Sequence, residues 1–333
     1  IKTFLCDTAA PTPVISYNVL VKKTAGAAII TASHNSARWN GFKFKSEYAG
    51  SASAEIVTQL EEHIVRVGSV PPSYIPLSLA VSQGLVCDID PQPRYIEQIK
   101  SLVDIEGIKR SGINVVVDSM HGAGGGYLPS LLAGAEGQIL EIRTEVNPTF
   151  PGMDQPEPIA RNLARLSTLV VERGADVGIA YDGDADRLGI IDEKGSYLST
   201  LDIFALLALY LLDVKGQRGP IVKSLTSSDM LIKLGRQYGV PVFETKVGFK
   251  YIGPRMIKEN ALIAGEESGG YGYRGHIPER DGILSSLLFL EFMVRKGLRP
   301  SELLQYLYSK VGEHYFQRRD IPVTSEVRSG LQH

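Results

Sequence analysis

Short apolar runs alternate along the chain with stretches whose apolar residues recur at helical spacing, the pattern of an α/β protein with mixed or parallel sheets. Runs at 27–31, 114–118, 176–180, 220–223, 241–244 and 261–264 predict strands, and longer stretches at 54–67, 159–173, 201–212, 229–238 and 282–294 predict helices. Ser228 and Asp229 supply an N-cap region for one of these helices, and Gly239 ends it. The longest apolar run, 203–212, is about half of a bilayer span and predicts a buried helix. Pro71-Pro72 and the loose stretch that follows, as far as Pro91 and Pro93, predict a linker, with a second break at Glu193-Lys194-Gly195. The chain then divides into three consecutive α/β units around a shared cleft, 1–88, 89–192 and 193–310, followed by a connecting segment, 311–333.

One internal repetition stands out. In each unit a small apolar strand runs directly into a polar loop rich in glycine or serine. Ala28-Ile29-Ile30-Thr31 leads into Ala32-Ser33-His34-Asn35, Val177-Gly178-Ile179-Ala180 into Tyr181-Asp182-Gly183-Asp184-Ala185-Asp186-Arg187, and Leu262-Ile263-Ala264 into Gly265-Glu266-Glu267-Ser268-Gly269-Gly270. Ligands in α/β folds gather beyond the carboxyl ends of strands, so three such loops facing one cleft would form a composite site.

Composition narrows the function classes. With 35 basic and 37 acidic residues the net charge is -2, which removes electrostatic support for nucleic-acid or membrane binding. Cys6 and Cys87 match no metal-ligand spacing, leaving a reducing, cytoplasmic setting as the default. The chain opens Ile1-Lys2-Thr3-Phe4 without an initiator Met or a signal-peptide pattern, and both ends read as cut, so a fragment of a longer protein is expected.

The acidic loop carries the strongest chemistry. Asp182, Asp184 and Asp186 alternate at a spacing of two, which puts their carboxylates on one side of an extended loop. Two carboxylates about 4 Å apart repel by roughly 4 kcal/mol at an effective dielectric of 20. Three together call for a cation, and hard oxygen ligands suit Mg²⁺. An EF-hand is excluded because Arg187 occupies the place of the turn glycine and a strand precedes the loop. A DxDx[TV] phosphatase motif also fails, since Asp186 stands where Thr or Val is required. Arg187 is suited to grip a phosphate with its forked donors. Ser33 lacks the Gly-x-Ser-x-Gly surroundings of a hydrolase nucleophile.

Together these segments resemble the α-D-phosphohexomutases. Thr31-Ala32-Ser33-His34-Asn35, with Asn40-Gly41-Phe42-Lys43 behind it, is similar to that family's phosphoserine loop. Asp182-Gly183-Asp184-Ala185-Asp186-Arg187 is similar to its metal loop, and Gly265-Glu266-Glu267-Ser268-Gly269-Gly270 to its sugar-binding loop. Pro156-Glu157-Pro158 and Lys246-Val247-Gly248-Phe249-Lys250-Tyr251-Ile252 add to the resemblance, which covers nearly the whole chain.

The resemblance implies a Mg²⁺-dependent enzyme that interconverts hexose 1-phosphates and 6-phosphates. Ser33 would carry the phosphate, a hexose 1,6-bisphosphate would be the intermediate, and glucose 1,6-bisphosphate would be the activator. A phosphoserine of charge about -1.5 to -2 beside three carboxylates makes the cation essential. On this reading Ser33, Asp182, Asp184 and Asp186 bind the metal, and Arg187 meets the reacting phosphate. Lys43 does acid–base work, and His34 orients the serine loop. Glu266 and Ser268 bond sugar hydroxyls, and Lys223, Lys246 and Lys250 line the cleft as phosphate-attracting charges. The version of the sugar loop with Gly270, where some phosphomannomutase-type members carry His, points to phosphoglucomutase first and phosphomannomutase second. An amino-sugar phosphate mutase and a non-catalytic sugar-phosphate or metal-binding homologue are the alternatives. The family has a fourth domain; Arg328-Ser329-Gly330 echoes its phosphate loop but lacks the Thr-Glu-Pro that follows. The expected partners are hexose phosphates, with no nucleic acid or membrane, and the protein a monomer or homodimer.

Overall fold

The computed structural model describes residues 1–317 apart from 69 and 72, together with Val323 and Val327. Arg328-Ser329-Gly330 therefore lies outside the described residues. The first unit contains β1 (Thr3–Leu5), α1 (Thr12–Lys22), β2 (Gly26–Ile30), β3 (Phe42–Ser46), α2 (Ala54–Val67), α3 (Leu77–Ser82) and β4 (Val86–Asp88). Its strands form two small sheets, β1 with β4 in parallel and β2 with β3 antiparallel. An apolar groove of about 740 Å³ is lined by consecutive residues of β1 and of β2 and reaches Ser33 and Asp184 at one end. The 3.6-residue period of 54–67 does form a helix, capped by Ser53, whose hydroxyl accepts from the Ile56 amide at 3.4 Å. None of the residues of α2 is buried. The stretch expected as a linker after Pro71-Pro72 contains α3 and β4, because β1 offers an edge for β4 to pair with.

The second unit runs through α4 (Gln92–Leu102), α5 (Ile105–Lys109), β5 (Val115–Asp118), α6 (Tyr127–Leu131), β6 (Ile139–Ile142), α7 (Ala164–Arg173), β7 (Val177–Tyr181), β8 (Leu188–Ile191) and β9 (Tyr197–Leu198). The sheet order is β6-β5-β7-β8-β9, parallel among the first three and antiparallel thereafter. Glu193-Lys194-Gly195, read from sequence as a break between units, lies in the connection between β8 and β9, so this sheet continues to Leu198. The predicted helix at 159–173 is a 3₁₀ turn at Ala160–Asn162 followed by α7.

The third unit comprises α8 (Thr200–Leu209), β10 (Ile221–Ser224), α9 (Met230–Tyr238), β11 (Val242–Thr245), α10 (Phe249–Glu259), β12 (Ile263–Gly265), β13 (Tyr271–Tyr273), α11 (Gly282–Lys296) and α12 (Pro300–Val311). Its sheet has the order β11-β10-β12-β13, with only β13 antiparallel. Every residue of α8 is buried, as an apolar run without a polar face requires, and a π-turn at Tyr210–Val214 ends it. One large core joins α8 and α11 to β7 and β8 of the second unit, through Phe204, Leu207, Leu287, Phe289, Ile179 and Ile190 among others. No helix among the described residues is long and apolar enough to cross a membrane.

The repetition read in the sequence has a common topological cause. Each of the three loops joins a strand to an antiparallel neighbour: β2 to β3, β7 to β8 and β12 to β13. Each also contains a residue in the left-handed region, Ser33 at φ 53°, Ala185 at φ 53° and Gly269 at φ 90°. A side chain held at such a φ costs on the order of 1–3 kcal/mol, and strain of this kind collects at functional sites.

Candidate active site

The serine loop and the acidic loop meet at the carboxylate trio, and the loop that carries Glu266 is linked to it through Arg280. Asp182, Asp184 and Asp186 are all buried, and one carboxylate oxygen from each lies within 4.8 Å of the others. The turn is fixed from within, since Asp182 Oδ1 accepts the backbone N–H groups of Asp186 at 2.9 Å and Arg187 at 3.1 Å. The Ser33 hydroxyl donates to Asp182 Oδ2 at 3.1 Å, so the serine and the carboxylate trio share one pocket. Gly183 makes this approach possible: a Cβ there would stand 2.4 Å from the carbonyl oxygen of Ser33.

The donor set fits a hard divalent cation. Asp184 Oδ1 and Asp186 Oδ1 are buried carboxylate oxygens with no hydrogen-bond partner, a costly arrangement unless a cation takes them. Burial, reinforced by Asp186 and Asp184, pushes Asp182 well above the usual carboxylate range. Burial also disfavours charge on Asp186, but Arg280, Lys43 and Arg187 outweigh it and hold Asp186 below its ordinary value. A cation bound at the trio would relieve the repulsion expressed on Asp182.

Lys43 lies on the edge of this cluster, its ammonium 2.6 Å from Asp184 Oδ2 and 3.2 Å from Asp186 Oδ2. Burial works against its charge, yet Asp186 and Asp184 prevail and raise it above the ordinary lysine value. Lys43 is therefore held as a charged ion-pair partner of Asp184 and Asp186. Acceptance of a proton near neutral pH would require those contacts to relax. His34 places Nδ1 at 3.4 Å from the Ser33 oxygen, and burial, helped by the Arg187 charge, lowers it to about 4. It is a neutral imidazole beside the serine.

Arg187 is buried with Nη1 at 3.5 Å from Glu157 Oε1 and Nε at 3.9 Å from both Asp182 and Asp186. Glu266 is buried and accepts the Ser268 hydroxyl at 2.8 Å, which keeps these two polar groups side by side. Lys223 departs from expectation. It sits opposite Gly265 in the sheet register but is buried, 2.7 Å from Glu244 and donating to the Ser227 carbonyl at 3.3 Å, because its strand is central. Lys246 and Lys250 are exposed and lie over the Tyr251 ring at 5.7 and 5.2 Å. None of these three lysines contacts the trio or Glu266 in a described ion pair.

Three groups in the site escaped the sequence reading. Thr12 donates to Asp184 Oδ2 at 2.5 Å and its amide donates to the Asp184 carbonyl at 2.9 Å. The only linear signal is its place between Pro11 and Pro13 at a helix start. Lys45 and Glu279 form a buried pair at 2.5 Å that joins β3 to the third unit. Arg280 contacts Asp186 at 2.9 Å and Glu266 at 3.0 Å.

Models of phosphoglucomutase/phosphomannomutase α/β/α domains I, II and III match residues 1–69, 93–195 and 202–311. A Thermus thermophilus structure, provisionally named a phosphomannomutase, is 35% identical with a TM-score of 0.85, covering 94% of this chain and 69% of that one. The chain belongs to the α-D-phosphohexomutase family. The phosphoglucomutase/phosphomannomutase of Thermococcus kodakarensis is 32% identical over 90% of this chain and 64% of its own length. The phosphoglucosamine mutase of Carboxydothermus hydrogenoformans is 32% identical over 89% of this chain and 65% of its own length. The chain thus spans about two thirds of these relatives. An Aspergillus fumigatus N-acetylphosphoglucosamine mutase, crystallised with GlcNAc-6P and magnesium, shares the fold at a TM-score of 0.60 and 16% identity. Phosphohexomutases named for different sugars are thus all similar to this chain, so the family assignment leaves the hexose open.

Proposed function

We propose that this chain carries the phosphoryl-transfer and metal-binding parts of a Mg²⁺-dependent phosphohexomutase that interconverts hexose 1-phosphates and 6-phosphates. The observation that carries the reading is the 3.1 Å contact between the Ser33 hydroxyl and Asp182, within a carboxylate trio that has two buried oxygens without a hydrogen-bond partner. When bound by Asp182, Asp184 and Asp186, Mg²⁺ would supply charge neutralisation at the phosphate.

The residues of the chain account for the rest. Phosphorylated Ser33 is the donor: its P–Oγ bond breaks as a bond forms from phosphorus to a sugar hydroxyl oxygen, and the hydroxyl proton replaces the phosphoryl group on the Ser33 oxygen. The bisphosphate so formed turns over and returns its other phosphoryl group to Ser33. Such transfers depend on positioning and charge stabilisation more than on covalent chemistry. Arg187 grips the phosphate, protonated Lys43 stabilises it, gives a proton to the released serine oxygen and takes the sugar hydroxyl proton in its place, and neutral His34 holds the serine oxygen. Glu266 and Ser268 receive the sugar hydroxyls, and Lys246 and Lys250 are exposed cations available to an incoming phosphate.

Gly270 favours glucose phosphates, with mannose phosphates next. Amino-sugar phosphates form the second reading, favoured by the 32% identity to a phosphoglucosamine mutase. The test is intact-mass measurement after incubation with Mg²⁺ and glucose 1,6-bisphosphate. One added phosphoryl group, absent in Ser33→Ala, supports the mutase. An unmodified serine in a folded, metal-loaded protein would favour a non-catalytic binder. Comparison of kcat/KM on glucose, mannose and the two amino-sugar phosphates assigns the substrate.

A further inference from the structure

One buried cation joins the two chemistries of the site. Arg280 directs Nη2 to Asp186 Oδ2 at 2.9 Å and Nη1 to Glu266 Oε1 at 3.0 Å, with Nε 3.4 Å from Glu279 Oε1. Its guanidinium carbon lies 5.3 Å from the centre of the Phe249 ring. Space for this side chain comes from the sugar-facing loop itself, because a Cβ at Gly270 would fall 2.1 Å from Arg280 Cδ. The segment that carries Arg280 is anchored on both sides. Glu279 pairs with Lys45 of the first unit, and Asp281 accepts the Tyr95 hydroxyl of the second at 2.8 Å. Gly282 donates its amide to the carbonyl of Ala185, inside the acidic loop, at 3.1 Å. Arg280 is therefore held at the point where all three units touch, and its position answers to carboxylates on two different loops.

We propose that Arg280 is a positioning residue that couples Glu266 to the carboxylate trio, so that a change at the sugar-facing carboxylate alters the affinity of the trio for a divalent cation. Asp186 Oδ2 already meets Lys43 and Arg280, and a cation that takes this carboxylate must compete with both. How firmly Arg280 holds Asp186 depends on the share of its charge taken by Glu266. Without the Glu266 charge, Arg280 falls more fully on Asp186 and opposes the cation. Reciprocally, a cation at the trio pushes the guanidinium toward Glu266 and fixes that carboxylate for a ligand. The inference rests on the cation reading of the trio and is independent of which sugar the protein takes.

The test is titration of the 333-residue chain with Mn²⁺, free ion being followed by electron paramagnetic resonance. Wild type, Arg280→Gln, Glu266→Gln and the double variant form a cycle. Arg280→Gln should bind Mn²⁺ about five-fold more tightly, and Glu266→Gln about five-fold more weakly, than wild type. In the Arg280→Gln background the Glu266→Gln effect should shrink to about two-fold or less, the remainder being direct charge attraction. Gly270→Ala, which displaces Arg280 without removing it, should shift affinity in the same direction as Arg280→Gln. Arg280→Lys should retain part of the coupling, and it replaces Arg280→Gln in the cycle if thermal unfolding shows that variant to be unfolded. An equal fold-change for Glu266→Gln in both backgrounds overturns the coupling alone. A wild-type chain that binds no Mn²⁺ overturns the coupling together with the metal reading.

Discussion

Replacement of Lys45 by Met should weaken the hold of the serine-loop unit on the rest of the protein by about 3 kcal/mol, the low end of the range for breaking a buried ion pair. Side-chain exposure is 1% for Lys45 and 0% for Glu279, so neither charge can turn to water when its partner is removed. Glu279 would not be wholly abandoned. It keeps the Ser51 hydroxyl at 2.5 Å, the Arg280 backbone N–H at 3.1 Å and the Arg280 guanidinium at 3.4 Å, which is why the low end applies. An exposed pair would be worth at most about 1 kcal/mol. Lys45→Met/Glu279→Gln removes the buried charge that has lost its lysine and should recover most of the loss. The assay is urea unfolding followed by Trp39, the only tryptophan and a reporter within the first unit, alongside far-ultraviolet circular dichroism for the whole chain. A midpoint within the equivalent of about 1 kcal/mol of wild type, at unchanged slope, would refute the reasoning, as would a double variant as unstable as the sum of the two singles.

Mg²⁺ should raise the melting temperature, by an amount that corresponds to about 2.7 kcal/mol at a hundred-fold excess over Kd, and scanning calorimetry with and without chelator measures it. Asp182→Asn should melt higher than wild type in chelator and lose the cation response. The amide oxygen still accepts from the backbone of Asp186 and Arg187, while the charge that burial, Asp186 and Asp184 oppose is gone. Ser33→Gly should be more stable than Ser33→Ala by about 1 kcal/mol in chemical denaturation, since φ 53° suits glycine, and neither should take up phosphate. Acidification from pH 6.5 to about 4 should cost stability in the metal-free protein through His34. Its folded value near 4 lies below the ordinary 6.5, so the unfolded chain binds the proton first in that window. Denaturation across the window should show a shallower decline for His34→Gln, and an unchanged slope would remove His34 as the cause.

Much of the site was legible because its chemistry lies in short contiguous loops. Ser33, the alternating aspartates and the Glu266-to-Ser268 pair each follow a strand directly, and in all three cases a tight connection to an antiparallel strand keeps linear neighbours together in space. Strand and helix periodicities likewise placed the elements they predicted to within a few residues, since an apolar run between turn signals has few other uses, but short strands such as β1, β4 and β9 gave no such run and went unread. What escaped were partners chosen by docking between units. Thr12, Lys45, Glu279 and Arg280 lie in segments with no special pattern and acquire roles only where the units meet. Lys223 erred in the opposite direction, because a lysine on a central strand is buried by neighbours that the local sequence does not name.

The linear order of residues was enough to determine the α/β class, the three strand-to-loop turns and the donor atoms available for a cation, because each depends on spacing along the backbone. Only the tertiary structure decided that the serine from one sheet stands 3.1 Å from an aspartate of another, and that one arginine spans the acidic loop and the loop that carries Glu266. The physical reason is that ion pairs and hydrogen bonds act over a few ångströms. Contacts between residues 149 positions apart, as Ser33 and Asp182 are, are set by how whole units pack, which no local pattern encodes.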